Sequence, residues 1–578
     1  MPEVRVWAPR ASAVEVVAGE RRTPMKRQPG GWYSAGADAA DAEGRYLLSV
    51  DGGPAIPDPR SAYQPTGVHG TSVLIDHGRF EWHDQAWKGF HLADAVVYEL
   101  HVGTFSPEGT FDGVVSRLPH LEDLGVNVIE LLPVATFPGD RGWGYDGVDL
   151  YAPHPTYGGP DGLKRLVDAC HGAGIAVVMD VVYNHLGPDG NYLGEYGPYF
   201  TEVYRTPWGA ALNFDGADSD EVRRFFVDNA LGWLRDYHCD GLRLDAVHAI
   251  LDTSATHFLE QVAAAVRQLE TVTGHPRWLI AESDSNDPRL VTPAVRGGFG
   301  FDAQWSDDFH HALHAALTGE RDGYYRDFGP LADVATALRR AYVYAGRYSE
   351  YRARTHGREP RDLPGWSFLG YIQDHDQVGN RARGERIGQL LSPGLVMTAA
   401  ALVLFSPFTP MLFAGEEWGA STPFQYFTDH QSSELARAVT EGRRREFATF
   451  GWPLTSVPDP QEAATFAASK LKWEEVQQPG HRELFSWYRD LLHLRRDTPG
   501  LRDGALEAVE VDVDEQARHI VVRRRDLVLA CNLGPLEATI AAAGNEIVLA
   551  SHAGSQLDPN GGLRIPAESA VVLRTRRP

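Results

Sequence analysis

Between residues 95 and 417, short apolar runs alternate with segments of helical period, and this alternation constrains the fold more than any other feature. Eight runs read as buried strands: AVVYELHV (95–102), VNVIELLPV (126–134), IAVVMDVVY (175–183), GLRLDAV (241–247), RWLIAES (277–283), GFDAQW (300–305), FLGYIQDHD (368–376) and TPMLFAGEE (409–417). The segment 221–237 puts Val222, Phe225, Phe226, Ala230, Trp233, Leu234 and Tyr237 on one helix face, with Asp218, Ser219 and Asp220 available as caps. The segment 255–270 repeats the pattern with Phe258, Leu259, Val262, Val266 and Leu269, and 161–174 ends on Gly172 and Gly174, as a helix stop requires. Eight strand–helix units predict a closed parallel (β/α)8 barrel, of α/β class, over residues 89–495. Residues 1–88 and 496–578 instead carry short alternating runs separated by turn residues, such as VRVWAP (4–9), RYLLSVDG (45–52), HIVVRRR (519–525) and SAVVLRT (569–575). Each flank reads as a β-sandwich, the first of Ig-like size.

Three carboxylates stand at the ends of three of these strands: Asp245, Glu282 and Asp376. In such a barrel the C-terminal strand ends converge on one face, so carboxylates distant in sequence meet in one pocket. Two carboxyl groups about 5–5.5 Å apart are the apparatus of a retaining glycoside hydrolase, one ionised to attack and one protonated to release the leaving oxygen. Arg243, two residues before Asp245 and on the same strand face, would keep Asp245 ionised. Glu282 follows the apolar WLIA and suits a raised pKa.

Composition narrows the partners. The chain has 578 residues, 43% of them hydrophobic, and a net charge of −24 from 54 basic and 78 acidic side chains. An acidic surface repels phosphate backbones, which argues against nucleic acid and anionic membrane, whereas a neutral glucan is compatible. Three cysteines without metal spacing suggest a reducing compartment, and no run approaches the ~20 apolar residues of a membrane span. The N-terminus, MPEVRVWAPRAS, has no signal-peptide pattern. The expectation is a cytoplasmic protein with no cofactor and no metal.

DVVYNH (180–185), GLRLDAVH (241–248), AESD (281–284) and DHDQVGN (374–380) resemble, in order, the four signature regions of the α-amylase family of glycoside hydrolases. The resemblance implies that Asp245 is the nucleophile, Glu282 the general acid/base, and Asp376 the third catalytic carboxylate, binding sugar hydroxyls and favouring the distorted ring. It implies that His185 and His375 bind hydroxyls of the sugar under attack, that Tyr145 in RGWGYDGV (141–148) stacks beneath it, and that Asp180 supports the site. Arg243, His248 and Gln377 complete the expected substrate-binding set, with His248 and His101 divided between site lining and structure. Asn184 matches a position that binds calcium in many amylases; without companion carboxylates it reads as a supporting amide. The N-terminal region resembles the β domains of branching and debranching enzymes, and a packing or weak glucan-contact role is expected of it because it carries no charged or histidine constellation.

Finer stretches, notably DHDQVGNRA and GRRREFATFGW (442–452), resemble the trehalose-releasing members of that family. They imply a maltooligosyltrehalose substrate, made beforehand by a maltooligosyltrehalose synthase, with cleavage at the α-1,4 bond adjoining trehalose. The leaving-group pocket is expected along the aromatic segment 186–215, which contains Tyr192, Tyr196, Tyr199, Phe200, Tyr204 and Trp208, and along 416–430; at least half of those aromatics are expected to pack the loop instead. Two other readings stay open: a branching enzyme or general α-glucan hydrolase with the same three carboxylates, and a barrel that has lost activity and only binds glucan or a partner.

Overall fold

The computed structural model describes residues 3–206, 209–448, 457–542, 544–558 and 562–575. All eight runs form strands: β1 (Val97–Leu100), β2 (Val128–Leu131), β3 (Ala176–Val181), β4 (Gly241–Leu244), β5 (Trp278–Ala281), β6 (Ala303–Trp305), β7 (Phe368–Gly370) and β8 (Thr409–Phe413). Each pairs in parallel with its sequence neighbour, and β8 pairs with β1 to close the barrel. Alternate residues face inward. Val97, Val128, Val178, Trp278, Ile280, Ala303, Leu369 and Met411 bury together as the lower plug, covered by Leu92 and Ala95 with Trp87 and Phe90 packed against them. The outward residues Tyr98, Ile129, Val177, Leu242 and Leu279 lie beneath the helices in the main core. Both strand faces are dry, which is why the runs read as continuously apolar.

Two residues further along the same inward rows, the plug gives way to charge. Glu99, Glu130, Asp180 and Arg243 are all buried there. Glu99 is the register partner of Glu130, and Asp180 that of Arg243. This charged layer is the floor of the cleft at the C-terminal ends of the strands.

Helices form at Gly159–Gly172, Ser219–Asp236 and Phe258–Thr273, with the expected faces buried apart from Leu269, which is half-buried. The capping expectation needs correcting. Asp218 precedes the helix Ser219–Asp236 at φ 61 and makes no side-chain cap bond, so the first turn draws on its acidic residues Asp220 and Glu221 instead.

In the N-terminal region, two antiparallel sheets, one centred on Trp32–Gly36 and one on Arg45–Val50, bury Val4, Val6, Val14, Val16, Tyr33 and Leu48. The expectation that residues 1–88 carry no charged constellation is overturned. Arg60 donates to Tyr151 and Asp228, His69 bonds to Tyr192 and Asp189, His83 to Asp168, and Asp84 to His171 and His238. These residues mix with turn glycines and show no period, so only the docked structure reveals them as polar contacts with the barrel region. The C-terminal region forms a five-stranded antiparallel sheet, with Leu527–Asn532 at its centre, and a three-stranded companion. Val521, Val528, Val571 and Leu573 of the larger sheet and Leu563 and Ile565 of the smaller pack together, while Ile520, Leu529 and Val572 join the main core.

Candidate active site

The ends of β3, β4 and β5 lie side by side, and Arg243 ties them together. Fully buried, it donates through Nη1 to Asp180 Oδ2 at 2.6 Å and to Asp245 Oδ1 at 3.2 Å. Its Nη2 lies 2.9 Å from Glu282 Oε2, and its guanidinium sits 4.2 Å over the Trp305 ring. The two-residue spacing predicts a partner for Asp245 alone; in the fold one cation serves three carboxylates.

Asp245 also accepts from Asn184 Nδ2 at 2.6 Å, and the same amide reaches the Asp245 carbonyl at 2.8 Å. Asn184 is therefore a direct support of Asp245. Among the described residues, no group of three or more His, Cys, Asp or Glu is arranged to hold a metal. Glu282 Oε2 accepts from the Ala246 N–H at 2.7 Å. Ala246 stands at φ 37, a left-handed conformation that a residue with a Cβ seldom adopts. The turn after Asp245 is thus strained, and its bend aims an N–H at the neighbouring strand's carboxylate.

Burial pushes the pKa of Glu282 up, against the pull of Arg243, to about 7. Asp245 corrects an expectation. Burial raises its pKa too, outweighing Arg243, because the desolvated carboxyl shares its guanidinium with Asp180 and Glu282. What favours the ionised form of Asp245 is the set of two donors, Arg243 and Asn184, not opposite charge alone.

Tyr145 comes from the loop after β2. Gly144 before it has φ 101, and a Cβ there would fall 2.1 Å from the Pro133 carbonyl oxygen, so glycine is required for the turn. The Tyr145 hydroxyl lies 2.7 Å from Asp180 Oδ2 and 2.9 Å from His375 Nε2, and the two rings stack at 5.2 Å. His375 Nδ1 lies 2.5 Å from Glu99 Oε1. Burial alone would lower the pKa of His375, but Glu99, Asp376 and Asp374 outweigh it and hold it at about 10. His185 contrasts: its Nε2 faces the Tyr145 carbonyl at 3.1 Å, and burial takes its pKa down to about 4.

Asp376 lies in the short helix His375–Gly379 with its side chain 42% exposed to the cleft. Asp374 caps that helix, accepting from the N–H groups of Asp376 at 2.8 Å and Gln377 at 3.1 Å. Gln377 returns the favour, its Oε1 accepting from the Asp374 N–H at 3.0 Å, which leaves only its amide NH2 for a sugar. His248 is exposed at the rim, near Asp284. His101 is structural: buried, bonded to Gly142 and Tyr157, with burial lowering its pKa to about 3.

The pocket expected along 186–215 and 416–430 is corrected in part. Tyr196 donates to the Pro57 carbonyl at 2.6 Å and Tyr199 packs edge-on against Trp7, so both dock the loop on the N-terminal sheets. Tyr204 donates to Asp215 at 2.9 Å, and Trp208 lies outside the described residues, as does 449–456 with the end of GRRREFATFGW. Glu416 and Glu417 are buried away from the cleft, bonded to Tyr488 and to Tyr98 and His120. Phe424 stacks on Trp143 and so braces the Tyr145 loop.

Four features lie outside the motifs. Glu99 holds His375. Glu130 beside it is buried with neither oxygen hydrogen-bonded among the described residues. Asp307, accepting from Tyr371 at 2.5 Å, feels the charge of Glu282, and burial raises its pKa to about 8. A hairpin, Arg347–Ser349 with Arg354–His356, reaches the segment after Glu282: Arg352 pairs with Asp284 at 2.9 Å and His356 with the Asp284 carbonyl at 2.8 Å. The run of arginines and tyrosines at 347–354 was the available signal for that hairpin, but nothing in it fixes its partner.

Comparison with known proteins agrees with this arrangement. The family described as "Alpha amylase, catalytic domain" matches residues 74–206, and a domain of unknown function matches 504–572. Malto-oligosyltrehalose trehalohydrolase of Mycobacterium tuberculosis (strain ATCC 25618 / H37Rv) is 48% identical, covering 100% of both chains. The protein of that name from Saccharolobus solfataricus is 46% identical over 85% of this chain and 84% of its own. A crystal structure described as a putative alpha amylase from Salmonella typhimurium superposes with a TM-score of 0.91 at 38% identity, over 99% of this chain and 97% of that one. With near-half identity along its whole length and an α-amylase-type barrel, the chain belongs to the malto-oligosyltrehalose trehalohydrolase family of α-amylase-type glycoside hydrolases.

Proposed function

We propose that this protein hydrolyses the α-1,4-glucosidic bond adjoining the terminal trehalose of a maltooligosyltrehalose, releasing trehalose, with Asp245 as nucleophile and Glu282 as general acid/base. The observation that carries the chemistry is the pair of carboxylates on adjacent strand ends, both touching the buried Arg243 guanidinium. The choice of bond rests on the full-length relatives of that name. In the first step an Asp245 oxygen bonds to the anomeric carbon while the Glu282 proton passes to the departing trehalose oxygen. In the second, Glu282 takes a proton from water, the water oxygen attacks the same carbon, and the bond to Asp245 breaks, so the anomeric configuration is retained. A Glu282 pKa near 7 suits a group that must give and then regain a proton. Asp376, open to the cleft, binds sugar hydroxyls; Tyr145, stacked on His375, is the platform below; His185, its Nε2 turned to the Tyr145 carbonyl and its Nδ1 to Asn184, braces that platform; His248 and the NH2 of Gln377 lie at the rim.

On this reading the substrate comes from a maltooligosyltrehalose synthase in the same compartment, and the three buried, unpaired cysteines suit a reducing cytoplasm. No described helix is long and apolar enough to cross a membrane. Residues 1–88, 89–495 and 496–578 are the units we expect limited proteolysis to separate. The test of function is kcat/KM on maltooligosyltrehalose and on maltooligosaccharide of equal length, with the anomer released followed by NMR. Preference for the first by about 10⁴-fold is expected if a trehalose-only set of hydrogen bonds is at work. Equal values would make the protein a general α-glucan hydrolase, new α-1,6 linkages a branching enzyme, and no turnover a binding barrel.

A further inference from the structure

We infer that Glu99 is a positioning residue for the hydrolysis: it holds His375 as a donor through both ring nitrogens and, through His375, sets the Tyr145 ring and the Asp180–Arg243 pair beneath the sugar under attack. This rests on the reading of the site just proposed. Glu99 grips His375 twice, with Oε1 at 2.5 Å from Nδ1 and Oε2 accepting from the backbone N–H at 3.0 Å. On the other side of the ring, Nε2 lies 2.9 Å from the Tyr145 oxygen. That hydroxyl is also 2.7 Å from Asp180 Oδ2, a carboxylate oxygen that can only accept. If the Tyr145 proton went to His375, two bare oxygens would face each other at that distance. The tyrosine proton therefore belongs to Asp180, and Nε2–H donates to Tyr145. With Nδ1–H already directed at Glu99, the ring carries both protons.

The groups facing His375 support this. Asp374 and Asp376 share its turn, with Asp376 Oδ1 at 3.6 Å from Nε2. Arg243 stands behind Tyr145 and Asp180, and His101, whose own pKa burial lowers to about 3, is a further imidazole that feels His375. Glu130, in register with Glu99, is raised well above its ordinary pKa by burial first and by the Glu99 charge second. Of the two, Glu99 is the carboxylate that touches the ring and its backbone N–H, whereas Glu130 has no hydrogen-bond partner among the described residues.

The experiment compares the full-length protein with Glu99→Gln and Glu99→Asp. NMR of nitrogen-15-labelled histidine, assigned by loss of the signal in His375→Asn, reads the ring without substrate. In the native chain His375 is expected to keep both protons to pH 9; in Glu99→Gln it should lose one below pH 7. Loss of a charge-assisted bond predicts a fall in kcat/KM of about 10- to 100-fold at pH 7. The alkaline limb should steepen from a one-proton to a two-proton dependence as His375 joins Glu282 in titrating, while Glu99→Asp keeps the one-proton limb. A native His375 that is neutral at pH 8 overturns the inference, and so does a Glu99→Gln variant slowed equally at every pH. If Glu99→Gln fails to fold, the native spectrum decides. Failure of the trehalose-releasing reading would appear as absent product with the NMR result unchanged.

Discussion

The barrel has a buried histidine bonded to a carboxylate at each end, and the two ends use it differently. At the bottom, His171 Nδ1 lies 3.0 Å from Asp84 and Nε2 2.9 Å from Asp240. Asp240 also accepts from Trp87 Nε1 at 2.7 Å and the Val177 N–H at 2.8 Å, Asp84 also bonds His238 at 2.7 Å, and Trp87 stacks on His171 at 4.7 Å. Every carboxylate oxygen there that meets a ring nitrogen is matched, and the cluster clamps the segment that enters the barrel. At the top, His375 sits between Glu99 and Tyr145, yet Glu130 is left without hydrogen-bond partners, as are Asp180 Oδ1 and Asp374 Oδ2 among the described residues, and Ala246 is strained. At the bottom the ring nitrogens are matched, although Arg277 Nε beside Asp240 has no hydrogen-bond partner among the described residues; at the top the unpartnered atoms are carboxylate oxygens of the cleft floor, so similar chemistry builds a clamp at one end and a site at the other.

The largest expected effect lies at the top. Asp245→Asn or Glu282→Gln should lower kcat by about 10⁴-fold or more; a variant keeping a tenth of native activity would reject these roles. Neither should melt lower. Because folding raises the pKa of Glu282 from 4.5 to about 7, the stability tied to its protonation is full below pH 4.5 and lost as pH rises through 7. Glu282→Gln removes that loss and should melt higher than the native chain at pH 8, a calorimetric comparison.

The next effect is in pH dependence. If Glu282 is the acid, kcat/KM should fall with one proton above pH 7, since its protonated form is the active one. An alkaline limb that stays flat to pH 9 would remove Glu282 from that role.

At the bottom the prediction inverts. His171→Leu leaves two acids short of a partner and should cost about 3–5 kcal/mol, as breaking a buried pair does, with kcat/KM unchanged. Hydrogen exchange over 77–92 would locate the loss; slowed catalysis without loosening of that segment would break the contrast between the two ends. Burial disfavours charge on His171, but Asp240 and Asp84 outweigh it and raise its pKa above 6.5. The clamp is therefore complete below pH 6.5 and weakens as pH rises through the folded value. The smallest effect is Tyr196→Phe, which removes the bond to Pro57 and should cost about 1 kcal/mol without touching activity.

The strand runs were legible because β-sheet burial on both faces leaves short apolar stretches, shorter than the buried helix Pro393–Leu404; Asp245 and Glu282 were legible because strand ends share a face, and Asp376, in the short helix after β7, through its motif. His101 and His375 mark where that legibility stops. Both follow apolar runs and both are buried, yet one is neutral with a pKa of about 3 and the other cationic at about 10. The difference is a set of carboxylates, led by Glu99, 276 positions before His375, with Asp376 and Asp374 of its own turn behind it. Likewise Arg243 reads as a partner for Asp245 but also serves Asp180 and Glu282, and the aromatics of 186–215 read as a cleft wall while Tyr196 and Tyr199 face the N-terminal sheets.

What the chain alone determined is what depends on near neighbours: period, strand and helix identity, barrel order and the residues standing at the strand ends. What tertiary structure decided is charge state and partnership. A pKa is set by desolvation and by groups within a few ångströms, and in a closed barrel those groups arrive from strands hundreds of residues apart. Closure of β8 onto β1 is the event that brings Glu99 beneath His375 and leaves Glu130 dry beside it. Local pattern could name the actors of this site, but only the closed barrel could assign their protons.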